Sequence, residues 1–396
     1  GCAGRTRHRV WSLFTESFAV VGEKTNLIQF TTIHPRGDTR IGVKEVPYLA
    51  DSLVQPIARY VQDGEGSTGG SDDVTVVDTG LRLQGRSSRM TRGAWRMYRA
   101  VRNARPTVAH FHDPELMPVG LALKLSGIKV IYDVHEDLPR QILGKYWLAL
   151  WLRRPVSWFA EALEWVAGRA LDGIVAATPT IARRFPTGKT VTVQNFPILS
   201  ELVAPDPVRY AERPPHFAYV GGLGKIRGSR EMVEAIALMP DVSARLQLAG
   251  KFANAADERE AHSLEGWAQV DFHGWADRSA VAALLGNVRA GLVVLHPTSN
   301  YPDAYPVKMF EYMVAGIPVI ASDFPLWREI VEGAGCGLLV NPLNPEAIAN
   351  AMQWLLDHPE EAEAMGRKGR WAVEQTYNWE PEAEKLIGLY RRLFAE

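Results

Sequence analysis

Cysteine is nearly missing from this 396-residue chain: Cys2 and Cys336 are the only two. That is too few for a disulfide framework or a cysteine-rich zinc site. No Asn-x-Ser/Thr sequon occurs either, so nothing marks the chain for glycosylation in a secretory compartment, and a cytoplasmic location is expected. Net charge is close to zero, at -1, which excludes the strongly basic face of a dedicated nucleic-acid binder. No run approaches the roughly 18 uncharged apolar residues of a spanning helix. Near the start, Arg5, Arg7 and Arg9 precede an apolar run that Glu16 interrupts. This makes a poor signal peptide, and residues 1–24 are read as an N-terminal extension outside the fold.

Apolar material is plentiful: at 46% hydrophobic and 22% charged, the chain has enough to bury two sizeable cores. Buried strands are expected at 26–33, 75–78, 108–111, 129–134, 173–177 and 190–194. After a Pro-rich stretch without periodicity, they resume at 217–220, 244–249, 269–272, 291–295, 318–321 and 337–340. Strands alternating with amphipathic helices imply an α/β fold of mostly parallel sheets covered on both faces, here two doubly wound Rossmann-like domains. Residues 25–205 form the first domain, 206–216 the linker and 217–378 the second, with a last helix at 379–396 that packs back on the first. Ligands of such domains bind at the carboxyl ends of the strands, in the crevice between them.

The segment 296–323 reads as strand end, polar loop, short helix and buried strand. It sets Asp303 and Glu311 on either side of a helix N-terminus. Free amides and the helix dipole there suit a phosphate, while carboxylates accept hydrogen bonds from sugar hydroxyls. Upstream, Gly221-Gly222-Leu223-Gly224-Lys225-Ile226-Arg227-Gly228 joins a strand to a helix. Such a glycine turn admits a diphosphate close to the backbone, and Lys225 and Arg227 add charge. A nicotinamide-dinucleotide fingerprint fails because Arg227 stands where the third glycine belongs. A phosphate loop at Gly188-Lys189-Thr190 fails because Arg183 replaces its first glycine.

Tyr219-Val-Gly-Gly-Leu-Gly-Lys-Ile-Arg-Gly228 and Tyr305-Pro-Val-Lys-Met-Phe-Glu-Tyr-Met-Val-Ala-Gly-Ile-Pro-Val-Ile-Ala-Ser-Asp323 together resemble the donor half of a retaining family 4 glycosyltransferase with the GT-B fold. In the first half, Thr32-Ile-His-Pro-Arg-Gly-Asp-Thr-Arg-Ile41, His110-Phe-His-Asp-Pro-Glu-Leu116 and Tyr132-Asp-Val-His-Glu-Asp-Leu138 match it too. The resemblance implies that Asp303 binds hydroxyls of the transferred sugar and Glu311 the ribose of a UDP- or GDP-linked donor. The family's diphosphate-binding arginine falls on Gly222 and its lysine on Arg227, so Lys225 substitutes for the first cation. Pro306 stands where many members have glycine and donates no N–H; the contacts move to the amides of Val307 and Lys308 and to the Lys308 ammonium. His135 matches the active-site histidine beside the reacting carbon. His34, Arg36, Asp38 and Arg40 match the acceptor loop.

His110 and His112 alternate onto one face of their strand, as a metal pair would, but no third ligand of matching spacing is evident. They are read as scaffold of the acceptor pocket. No Asp-x-Asp pair ends a strand, so no metal or other cofactor is expected. The implied function is transfer of a sugar from a nucleotide sugar to a glycan or lipid-linked acceptor. A catalytically silent sugar-nucleotide or glycan-binding scaffold and a nucleotide-sugar epimerase remain open on the same fold.

Between Asp78 and Asp113 no acidic residue occurs, while eight arginines do. Met90, Ala94, Met97, Val101 and Ala104 repeat at helical spacing, with Arg89, Arg92, Arg96 and Arg99 on an adjacent face. Farther on, Trp147, Trp151, Trp158 and Trp165 surround Arg153 and Arg154. The pattern suits an anionic membrane surface. It equally suits a solvated face with packed tryptophans.

Overall fold

The computed structural model describes residues 26–53, 56–69, 74–145, 148–298 and 301–395. The N-terminal extension, Asp72, Asp73 and Trp147 lie outside them. The first domain holds seven strands: β1 (Leu27–Phe30), β2 (Ile57–Val61), β3 (Val74–Asp78), β4 (Val108–Phe111), β5 (Lys129–Val134), β6 (Gly173–Ala176) and β7 (Thr190–Thr192). The second holds six: β8 (His216–Val220), β9 (Arg245–Ala249), β10 (Val270–Gly274), β11 (Ala290–Val293), β12 (Val319–Ser322) and β13 (Gly337–Val340). Both sheets are parallel, ordered β3-β2-β1-β4-β5-β6-β7 and β10-β9-β8-β11-β12-β13. In each, the order reverses beside the first strand, and that switch opens a crevice at the strands' carboxyl ends.

Strand β2 is absent from the sequence reading. Its residues, Ile-Ala-Arg-Tyr-Val, are all buried, Arg59 included. The two terminal nitrogens of Arg59 donate to the carbonyls of Arg36 (2.5 Å) and Pro35 (2.8 Å), which lets an arginine sit in a core strand.

The chain passes between cores upstream of the 206–216 stretch. Val193 packs in the first domain, whereas Phe196 and Leu202 pack in the second. The Pro-rich stretch lies on the second domain, with Tyr210 in its core and Arg213 donating to Val288 O at 3.0 Å. At the crossing, Lys44 Nζ donates to Asn195 Oδ1 (2.7 Å) and Phe196 O (2.6 Å). The return crossing lies beside it, where Trp379 N donates to Pro197 O at 3.0 Å. The helix Trp379–Ala395 then covers one face of the first sheet, burying Leu386, Leu389, Tyr390 and Leu393 against Leu27, Ile57, Val108 and Ile131.

Candidate active site

The glycine turn after β8 is shaped by close backbone approach. Gly221 has φ +126 and Gly228 φ +73; a Cβ on Gly228 would lie 2.2 Å from Val294 O. The turn ends in a short helical turn, Lys225–Arg227, that feeds the helix Ser229–Ala237. Arg227 folds back so that Nη1 donates to Gly222 O at 3.2 Å. Lys308, from the helix Val307–Val314, places Nζ 4.8 Å over the Tyr219 ring, against Gly221. Desolvation first, and the Arg227 charge second, push its pKa down to about 8. Neither cation has a carboxylate ion pair among the described residues. The helix carrying Lys308 has no side-chain cap at Pro306; the Met309 amide bonds Pro306 O at 3.0 Å, and those of Val307 and Lys308 have no acceptor among the described residues. Lys225 is exposed, its amide 3.3 Å from Asp257 Oδ2. This is a pocket built for negative charge.

Glu311 is buried on the same helix, and Arg278 Nη1 donates to its Oε1 at 2.6 Å. Arg278 Nη2 reaches Glu201 Oε2 at 2.9 Å, behind the crossing segment. From the first domain, Lys44 feels the charges of Glu311 and Glu201, although burial is the main reason its pKa falls to about 8. Asp303 lies exposed on the preceding turn, with no ion pair among the described residues. His296 Nε2 stands 3.0 Å from Glu231 Oε1, and its amide bonds Ile226 O of the glycine turn.

Across the crevice, the carboxyl ends of β1, β4 and β5 bring His34, His112 and His135 together. Ring centroids are 5.1 Å apart for His34 and His135, and 5.6 Å for His112 and His135. Their common centre is Asp133, buried in β5. It accepts from His135 Nε2 (3.0 Å), His112 Nδ1 (3.2 Å) and both arms of Arg40 (3.1 and 3.0 Å). Burial disfavours its charge, but Arg40 and then His135 hold the carboxyl well below the usual range. His135 remains partly exposed, with 21% of its side chain accessible. With Asp133 ionised, His135 Nε2 is the donor of this hydrogen bond. For His34, burial is outweighed by the Asp38 hydrogen bond (3.1 Å) and the nearby Asp113 charge, and its pKa rises.

Two expected acceptor contacts, Arg40 and Arg36, are corrected, and His112 takes a scaffold position. Arg40 is 4% exposed and committed to Asp133, Glu45 and Val193 O, so it braces the site from beneath. His112 is buried, and burial pushes its pKa down to about 4; it supports Asp133. Arg36 turns away to a bidentate pair with Asp63 (2.6 and 2.8 Å). Asp38 caps the turn 39–45 through the amides of Arg40 and Ile41. His110 bonds Tyr390 Oη at 2.6 Å. Ligand atoms of Glu45, His110, His112 and Asp133 lie within 4.8 Å of one another, so third and fourth partners for the histidine pair do exist. Arg40 already supplies their positive charge. The sequence reading assigned no role to Asp133 or Arg278. Asp133 was detectable, two residues before His135; Arg278 gave no signal.

Residues 57–193 match the family model described as Glycosyltransferase Family 4, and residues 205–371 the one described as Glycosyl transferases group 1. Among curated relatives, the chain is 30% identical over 113 residues to D-rhamnosyltransferase WbpZ of Pseudomonas aeruginosa, covering 28% of this chain and 29% of that protein. It is 29% identical over 186 residues to D-inositol 3-phosphate glycosyltransferase of Corynebacterium glutamicum, covering 45% and 43%. It thus spans less than half the length of either. The fold is similar to sucrose-phosphate synthase of Thermosynechococcus elongatus, with TM-score 0.72, 20% identity and coverage of 93% of this chain and 99% of that one. It is also similar to Anabaena HepE in complex with UDP-glucose, with TM-score 0.68, 13% identity and coverage of 93% and 99%. At these identities the likeness establishes the GT-B fold.

Proposed function

Because this chain belongs to the family 4 glycosyltransferases, we propose that it moves a sugar from a nucleoside diphosphate donor to an acceptor hydroxyl, with retention of the anomeric configuration. One observation carries the reading: Arg227 and Lys308 stand over a glycine turn without a carboxylate ion pair among the described residues, beside a helix start with no side-chain cap. In the transfer, negative charge develops on the leaving diphosphate. Donors already fixed around it stabilise that charge without reorganising, which is the largest source of rate enhancement in such steps. With these cations in place of a metal, transfer proceeds without a divalent ion. Glu311 takes the ribose, Asp303 the hydroxyls of the sugar. His135, oriented by Asp133, sits beside the reacting carbon, and His34 with Asp38 lines the acceptor side. The acceptor is a glycan or lipid-linked sugar of polysaccharide or glycolipid assembly, at the cytoplasmic face of the membrane. The scarcity of cysteine and the missing sequon support that location.

The test is incubation with a panel of UDP- and GDP-sugars. Slow release of UDP or GDP is the expected result. Tight nucleotide binding with no turnover on any donor would replace the transferase reading with that of a binding scaffold.

A further inference from the structure

Three helices lie side by side on one face of the first sheet: Ala94–Ala104, Met117–Leu125 and Leu150–Ala170. Their inward residues Met97, Val101, Leu123 and Ala167 share a single core, so their outward faces form one continuous surface. On the third helix, Trp151, Trp158 and Trp165 recur every seven residues and are 77%, 67% and 56% exposed. Leu150 and Phe159 flank them at 77% and 71%. Nothing in the described chain covers this stripe. An exposed apolar patch of this extent marks a partner surface.

The charges around it identify the partner. Arg169 stacks 3.8 Å from the Trp165 ring and Arg154 is exposed nearby, against Glu161 as the exposed acid of the helix; Arg140, also exposed, is paired with Asp137 at 3.3 Å. At the other end of the surface, Arg92, Arg96, Arg99 and Arg102 are exposed beside Trp95. A second copy docked on the stripe would bring together two surfaces of the same positive sign. Anionic headgroups would meet them with opposite charge, and indole rings favour the boundary between headgroup and acyl chain. We propose that this surface docks on an anionic lipid bilayer, with the helix Leu150–Ala170 lying in the plane of the interface. At about 1.5 Å per residue it lays roughly 30 Å of apolar face on the membrane. No described helix is long and apolar enough to cross one. Ser157, on the inward side of this helix, donates to Pro139 O at 2.8 Å. Pro139 belongs to the helix Leu138–Leu143, which follows His135 by three residues, so the docked surface is joined directly to the acceptor side of the crevice. This inference rests on the proposed peripheral location and names its surface. It also moves the main contact from the arginine helix to the tryptophans, since Arg89 is paired with Glu115 at 2.6 Å.

The full chain is sedimented with vesicles of phosphatidylcholine, alone or mixed with phosphatidylglycerol, at low and high salt. Expected are binding to the mixed vesicles and quenching of tryptophan emission by brominated lipid. The triple variant Trp151→Ser, Trp158→Ser, Trp165→Ser loses more than about tenfold in partitioning at either salt, and loses the quenching. Changing Arg92, Arg96 and Arg99 to Gln weakens binding at low salt only, where screening is slight. Both variants release UDP or GDP from donor in solution at the wild-type rate. Wild-type docking without donor turnover would refute the transfer reading and leave the surface standing. Undiminished binding by the tryptophan variant overturns the proposal. So does a wild-type dimer by light scattering that becomes a monomer in that variant, because the stripe is then an interface between copies.

Discussion

Replacing Arg278 with methionine tests whether Glu311 is held ready for a ribose. Arg278 grips one oxygen of that carboxylate at 2.6 Å and Glu201 at 2.9 Å. The other carboxylate oxygen has no hydrogen bond among the described residues and, on the proposed reading, accepts from a vicinal diol. A hydrogen bond to a charged group contributes about 1.5–3 kcal/mol, so ribose over 2′-deoxyribose should be favoured roughly ten- to a hundredfold in the wild type. In the variant Glu311 loses its countercharge and its fixed rotamer, and discrimination should fall to a few-fold. The stability cost lies at or below the low end of that range, about 1–1.5 kcal/mol, because the Arg278 side chain is 36% exposed and partly screened by water. Calorimetric titration with UDP and 2′-deoxy-UDP, or the guanosine pair, reads the discrimination; denaturant melts read the stability. Full ribose selectivity in Arg278→Met refutes the positioning argument. If Glu311→Gln also keeps its selectivity, the ribose assignment itself is wrong.

Arg227→Ala should weaken nucleoside diphosphate binding roughly ten- to a hundredfold, and an unchanged dissociation constant by calorimetry would remove Arg227 from the diphosphate site. Transfer or donor hydrolysis should survive excess chelator; collapse with rescue by magnesium or manganese alone would contradict charge neutralisation by Arg227 and Lys308. His112 has its pKa lowered by burial from 6.5 to about 4, so the unfolded chain takes up this proton first. Its stabilising contribution is complete above pH 6.5 and is lost as the pH falls toward 4, a change of about 3 kcal/mol at about 1.36 kcal/mol per unit. Denaturant melts across that window should show the loss, and His112→Gln should flatten it.

How much was legible follows from what leaves a periodic trace. The apolar strands of both sheets did: β4, β5 and β13 begin and end at the residues expected from the sequence. Strand β2 did not, because Arg59 interrupts its run and is hydrogen-bonded to loop carbonyls that no local pattern reveals. The arginine helix was legible only in part. Ala94, Met97 and Val101 are buried as their spacing suggests, but Met90 is 55% exposed. It lies in a π-helical turn, Arg89–Gly93, whose wider winding shifts the phase of the apolar stripe. At the site, residues anchored to strand ends and glycine turns could be placed by motif. Arg40, His112 and Arg278 could not, since their partners Asp133, Glu45 and Glu201 are distant in sequence or carry no signature. Only the folded geometry distinguishes an arginine that meets a ligand from one that braces the wall behind it.

The return of the final helix to the first sheet sets an order in time. Leu27, Val108 and Ile131 lie in a core completed by Leu386, Leu389 and Tyr390, and Lys129 Nζ bonds Leu393 O at 2.7 Å. As the chain leaves the ribosome, the first domain cannot close until its last residues emerge. At about 5–20 residues per second, the stretch from Val193 to Trp379 takes roughly ten to forty seconds. Throughout that interval one apolar face of the sheet stays open, while the second domain, contiguous in sequence, is free to finish. The part made first is finished last, and a nascent chain that has emerged only as far as residue 378 holds a complete donor domain beside an unclosed acceptor domain.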